Sequence, residues 1–127
     1  MIVINMPGGG VEHVDGREIL WFRKAFKSEW DGATLVRLSS DRIYSRESVD
    51  ELTAKFLAAG VNLVQFTPPD YPILMPVNAE TVREVKAAAP AIYGPNARSV
   101  LEFGAGTRLA VKEEQPAVAR TMPGLDG

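Results

Sequence analysis

The chain alternates short apolar or mixed runs with glycine, proline and small polar residues, the pattern of strands joined by tight turns. Val100-Leu101-Glu102-Phe103 and Leu109-Ala110-Val111-Lys112 flank Gly104-Ala105-Gly106, and glycine supplies the positive φ that a tight hairpin needs. Leu35, Val36 and Ile43 flank Ser39-Ser40-Asp41 in the same way. Two helices are marked by their ends. Ser48 with Glu51 makes a capping box, Val49, Leu52, Phe56 and Leu57 share one face, and Gly60 stands just past the end. A shorter helix has Pro116 at its first position and Val118 and Met122 one turn apart. Pro123-Gly124 stops it, leaving 123–127 as an irregular tail.

Two stretches, 18–30 and 78–89, fit either element when read alone. Ile19, Phe22, Phe26 and Trp30 fall at helical spacing, as do Val82, Val85 and Ala89 behind an Asn78 cap. Internal repetition decides between them. Val3-Ile4-Asn5-Met6 matches Leu63-Val64-Gln65-Phe66 in type, and Val14-Asp15 stands opposite Val77-Asn78. Ile19, Phe22 and Arg23 then match Val82, Val85 and Lys86. Thr34-Leu35-Val36-Arg37-Leu38 matches Ser99-Val100-Leu101-Glu102-Phe103, and Arg42 to Glu47 matches Arg108 to Glu113. Spacing changes fall in loops, where insertions are tolerated. A strand at 18–30 followed by a hairpin makes a closed meander, so both ambiguous stretches are read as strands. The expected fold is mainly β with short helices: two tandem meander units forming one compact or elongated module. Residues 1–60 form the first repeat, ending in a helix, and 61–122 form the second.

Copy two, from Pro76-Val77-Asn78 through Val82, Val85 and Ser99 to Glu113, resembles the small SH3-like and Sm-like β-barrels of bacteria and phages. That resemblance speaks for fold and names no ligand. The whole chain is more faintly similar to the LytTR DNA-binding domain. The matching stretches are 18–25, 46–52, Val64-Gln65-Phe66, Val77-Asn78 and Val111-Lys112, with 67–74 standing where that family carries His-Arg-Ser.

Composition narrows the chemistry. Fourteen Lys and Arg face sixteen Asp and Glu, a net charge of −2 and a pI near 5.4, the wrong sign for a protein that mainly neutralises phosphates. Without cysteine there is no disulfide framework, thiolate nucleophile or cysteine metal site. No signal peptide or membrane span is legible, so the expected compartment is the cytoplasm, or a virion for a phage-encoded chain. Gly8-Gly9-Gly10 is not followed by Lys-Ser/Thr, so it reads as a loop rather than a phosphate cradle. His13 is the single histidine and has no obvious partner for metal binding or acid–base work. No enzyme, cofactor or metal site is therefore expected.

Two non-enzymatic readings remain. The first is a structural, assembly or protein-interaction module, a homo-oligomeric component of a larger particle such as a phage. Its candidate contacts are Trp21, Trp30 and the stiff loop Pro68, Pro69, Asp70, Tyr71 and Pro72. Trp21 alternates with Phe22, so one of the two must face a partner copy or another chain. The alternative is a nucleic-acid-binding regulatory domain using Arg37, Arg42, Arg46, Asn78, Arg108 and Lys112. The acidic balance and Glu102 in place of Arg37 favour the first.

Overall fold

The computed structural model describes residues 1–104 and 106–121. Ala105 of the expected glycine turn, the Met122 contact, the Pro123-Gly124 stop and the tail lie outside the described residues. The first half runs β1 (Ile2–Asn5), β2 (Val11–Val14), a 3-10 turn at Gly16–Glu18, β3 (Ile19–Lys24) and α1 (Lys27–Trp30). It continues through β4 (Thr34–Leu38), β5 (Arg42–Ser45) and α2 (Val49–Ala58). The second half repeats that order: β6 (Leu63–Phe66), β7 (Met75–Asn78), a 3-10 turn at Ala79–Thr81, β8 (Glu84–Ala87) and α3 (Pro90–Tyr93). It ends with β9 (Ser99–Gly104), β10 (Thr107–Val111) and α4 (Gln115–Thr121). The protein is mainly β with short helices.

Local chemistry accounts for the elements. Ser48 Oγ accepts from the Glu51 N–H at 3.1 Å and the Glu51 carboxylate accepts from the Ser48 N–H at 3.2 Å, which opens α2 as a capping box. Gly60 ends it at φ +87°, a conformation that side chains resist. The ambiguous stretches are strands followed by single-turn helices. Phe26 and Trp30 continue a helical spacing because they flank and end α1, whereas Ile19 and Phe22 belong to β3. α4 begins at Gln115, one residue before Pro116.

The structure corrects the register of the first strand. Ile2 pairs with Val14 and Val64 with Val77, so Ile2 rather than Leu63's expected match Val3 sets the alignment, and Ile2-Val3-Ile4-Asn5 corresponds to Val64-Gln65-Phe66-Thr67. The slip is by two residues, which leaves every side chain on the same face and so hides from the hydrophobic pattern.

Among the described residues three antiparallel sheets form: β5-β4-β3-β7-β6, β10-β9-β8, and the hairpin β1-β2. None closes into a barrel, unlike the SH3-like and Sm-like pattern. Each hairpin meets its own meander by isolated bonds in place of a ladder: Arg46 N–H to Asn5 O at 3.0 Å, and Lys112 N–H to Thr67 O at 2.8 Å. Ile2, Ile4, Val14, Ile19, Phe22, Val36, Leu52 and Phe56 make one core, with Phe22 and Phe56 edge to face at 5.0 Å. Phe66, Val77, Val82, Leu101, Val111 and Val118 make the second, which also takes Leu20 from the first half.

Phe56 is fully buried and joins α2 to β3. Phe56→Ala is expected to remove about 3–5 kcal/mol of stability, read as a lower urea midpoint with an unchanged slope.

Candidate interaction surfaces

The two units meet along β3 and β7, where Trp21 pairs with Val77. Two steps along β3 from Ile19 to Trp21 match one step along β4 from Leu38 to Arg37, so Leu20 is the extra residue of a bulge. The bulge breaks the alternation of faces. Leu20 is buried in the second core and Trp21 packs against it, while Phe22 turns into the first. Of the adjacent aromatics Trp21 and Phe22, Trp21 is thus the one facing the partner copy. Its Nε1 is buried without an acceptor among the described residues.

The proline loop is tied across the same seam. Tyr71 stacks on Phe26 at 4.5 Å, and the Arg23 guanidinium lies 3.9 Å from the Phe26 ring centre. Glu29 holds that guanidinium with two bonds of 2.8 and 3.1 Å. Pro68 is buried, Pro69 half-buried, and Asp70 and Pro72 are exposed, Asp70 accepting from Asn96 at 3.3 Å. Tyr71 and Trp30 each keep 48% of their surface exposed, and Trp30 leans on Tyr44 at 5.5 Å. The candidate contacts therefore divide between the seam and one aromatic surface on the α1 side.

A polar stitch completes the seam. Asn78 ends β7, and its Oδ1 accepts from the Glu80 N–H at 3.2 Å, capping the second 3-10 turn. Its Nδ2 donates across the seam to Gly16 O at 3.2 Å and Ile19 O at 2.9 Å. Asp15 is its counterpart in the first unit. It accepts from the Arg17 N–H at 2.9 Å and pairs with the Arg17 guanidinium, which holds its carboxyl down at about 2. A carboxylate has no hydrogen to donate, so Asp15 caps but cannot stitch. Above this seam lies a groove of about 690 Å³, lined among others by Asp15, Arg17, Leu20, Asn78, Arg83 and Phe103. Asn78→Asp places a carboxylate against two carbonyls. It is expected to cost about 1–3 kcal/mol or more, measured by urea unfolding at neutral pH.

The basic residues do not share one face with equal freedom. Arg37 and Arg42 are cross-strand neighbours and Arg46 is exposed. Arg108 is bonded to Glu102 at 2.9 Å, Lys112 is exposed beside the proline loop, and Asn78 is buried in the seam. The Glu102 carboxyl is held below its usual range by Lys86 first, with Arg108 adding to the effect.

Sequence reading missed the carboxylates that tether each hairpin. Glu47 accepts from the Asn5 N–H at 3.1 Å, and its counterpart Glu113 accepts from the Thr67 N–H at 3.0 Å. The matched pairs Arg46-Glu47 and Lys112-Glu113 were the available signal, but Glu113 reads as a helix cap until its partner strand is placed. Ser99 Oγ and Thr34 Oγ1 add bonds of 2.6 Å to the carbonyls of Glu113 and Glu47. Burial pushes the Glu47 carboxyl up, but the Lys55 ammonium and the Asn5 N–H outweigh it, and the net shift is down. Glu29 is lowered chiefly by Arg23. A carboxyl depressed on folding contributes stability that is present above its ordinary value near 4.5 and lost as pH falls through its folded value. The thermal midpoint is expected to fall with pH from about 4.5 downward, and the Glu29→Gln/Glu47→Gln variant to show a flatter acid limb.

Among the described residues, no group of three or more His, Asp or Glu is arranged to hold a metal ion, and no helix is long and apolar enough to cross a membrane. His13 is exposed on β2. No protein-family model matches the chain, and neither a curated protein nor a solved structure is significantly similar to it.

Proposed function

We propose that the protein is a non-enzymatic assembly module that binds other protein chains, copies of itself foremost, and serves as a repeated component of a larger particle. The observation that carries this is the seam. One unit's hairpin lies along the other unit's meander through Trp21 and Val77, which is the geometry of strand addition between chains, here used within one. Exposed Trp30, Tyr71 and Leu74 add apolar surface of the kind interfaces use. Work in the cytoplasm, or in a phage particle, fits this reading.

Nucleic-acid binding fits less well. It would need a continuous basic face, whereas Arg108 is paired with a carboxylate, Asn78 is buried, and the net charge is −2. Size-exclusion chromatography with light scattering at tens of micromolar decides: the expected result is a mass above 13.8 kDa that grows with concentration. A monomer throughout, or salt-sensitive binding to random duplex DNA, would count against the assembly module.

A further inference from the structure

We infer that the chain associates head to tail, the β2 edge of one copy adding to the β8 edge of the next. This deepens the assembly reading above and rests on it. The chain shows the joint once and leaves its two halves open. β3 is covered by β7, whereas among the described residues β8, the counterpart of β3, ends its sheet, and β2, the counterpart of β7, pairs only with β1. A third unit, were there one, would place its hairpin on β8. The first unit of a second copy supplies that hairpin.

The backbone suits the joint. Ala88 donates to Arg98 O, so by antiparallel alternation Val85 and Ala87 turn their N–H and C=O groups away from β9. Met6 donates to Gly10 O, so Val11 and His13 turn theirs away from β1. Transferring the Trp21–Val77 pairing to the equivalent residues sets Glu84 opposite Val14. In that register His13 faces Val85 and Val11 faces Ala87, the residues whose backbone groups point out of the two edges. One existing bond yields: Gln115 Nε2 to Val85 O, long at 3.3 Å and exposed.

Charge then selects the occupant. The same register puts Glu12 opposite Lys86 and Asp15 opposite Arg83, two opposite-sign pairs. Asp15 cannot donate to the Ala79 and Val82 carbonyls as Asn78 donates to those of Gly16 and Ile19, and the Arg83 guanidinium is the cation its carboxylate meets there instead. Of the paired residues, all but half-buried Asp15 are exposed in the single chain. Lys86 already lies 3.2 Å from Glu102 and 3.9 Å from Glu84, so Glu12 would complete an alternating cluster. Within the chain the places of those two pairs hold Met75 opposite Arg23 and Asn78 opposite Leu20, so the seam carries no opposite-sign pair there and buries Leu20 and Met75 instead. The joint between chains is accordingly weaker and sensitive to salt, and a like copy fits it better than an apolar strand would. Because the two edges differ, the contact is heterologous and propagates instead of stopping at a dimer.

Sedimentation velocity on the intact chain, at low and high salt, tests this with Lys86→Glu, Glu12→Lys and their equimolar mixture. The expected result is concentration-dependent growth for the native chain, reduced by salt and lost in either variant alone. Association is recovered in the mixture, where the two exchanged charges meet across the joint and are again opposite in sign. Glu12 lies exposed, so its variant tests the joint without disturbing the Lys86–Glu102 pair, and circular dichroism verifies that both are folded. Association unchanged by either substitution overturns this joint and leaves the assembly reading standing. A monomer at every concentration overturns both.

Discussion

A strand edge that must be covered is the constraint from which the rest of this molecule follows. β7 carries two apolar faces, with Met75, Pro76 and Val77 all buried, and a hairpin so apolar cannot stand in water with one side open. The bulge at Leu20, the half-buried Trp21 and the amide of Asn78 are the features of the first unit and of β7 that meet this need. They convert two units, each with its own core, into one continuous five-stranded sheet. The proline loop follows from the same geometry: it leads from β6 back to β7 past α1, and Tyr71 settles on Phe26 because Arg23 and Glu29 already hold that ring in place.

The two units show what is shared and what is specialised. Both follow their last strand with a cation and a glutamate, and both use that glutamate to hold an N–H at or just past the end of the first strand. That tether replaces barrel closure. It fixes the hairpin at one point and leaves the hairpin's outer edge free to serve a neighbour. Where the units differ, they differ at the edges. Leu20 and Trp21 correspond to Arg83 and Glu84, and Met75 and Asn78 correspond to Glu12 and Asp15. In each pair the buried seam has the apolar or amide residue and the outer edge has the charged one, as terminal repeats of an array commonly do.

Much of this was legible in the sequence, for stateable reasons. The capping box at Ser48 and Glu51 and the glycine at 60 are local devices whose partners lie within a turn, so they read directly. The strand character of 19–24 was hidden by Phe26 and Trp30, which prolong a helical spacing past the end of β3 into α1, and only the repeat exposed it. The two-residue slip in β1 was invisible because it preserves the alternation. The open sheets were also out of reach, since closure depends on how far apart strand ends lie and not on which residues are apolar. For the candidate site, one of Trp21 and Phe22 was identifiable as facing away from its own core, but neither which of them nor the bulge that aims Trp21 was. Asn78 read as a helix cap or a base contact, and its donation across the seam needed two units side by side.

The difference between Asn78 and Asp15 has a consequence for how the chain finds its structure. During synthesis the hairpin β1-β2 exists before β6-β7 does, and β3 presents an edge that either would fit by backbone alone. Tandem repeats are prone to this kind of misassembly, in which the wrong copy occupies a site. Two hydrogens distinguish the two candidates: the amide can satisfy both the Gly16 and the Ile19 carbonyls, and the carboxylate repels them. A single nitrogen in place of an oxygen thus serves as an address label, keeping the early hairpin from trapping the chain while the right one is still being made.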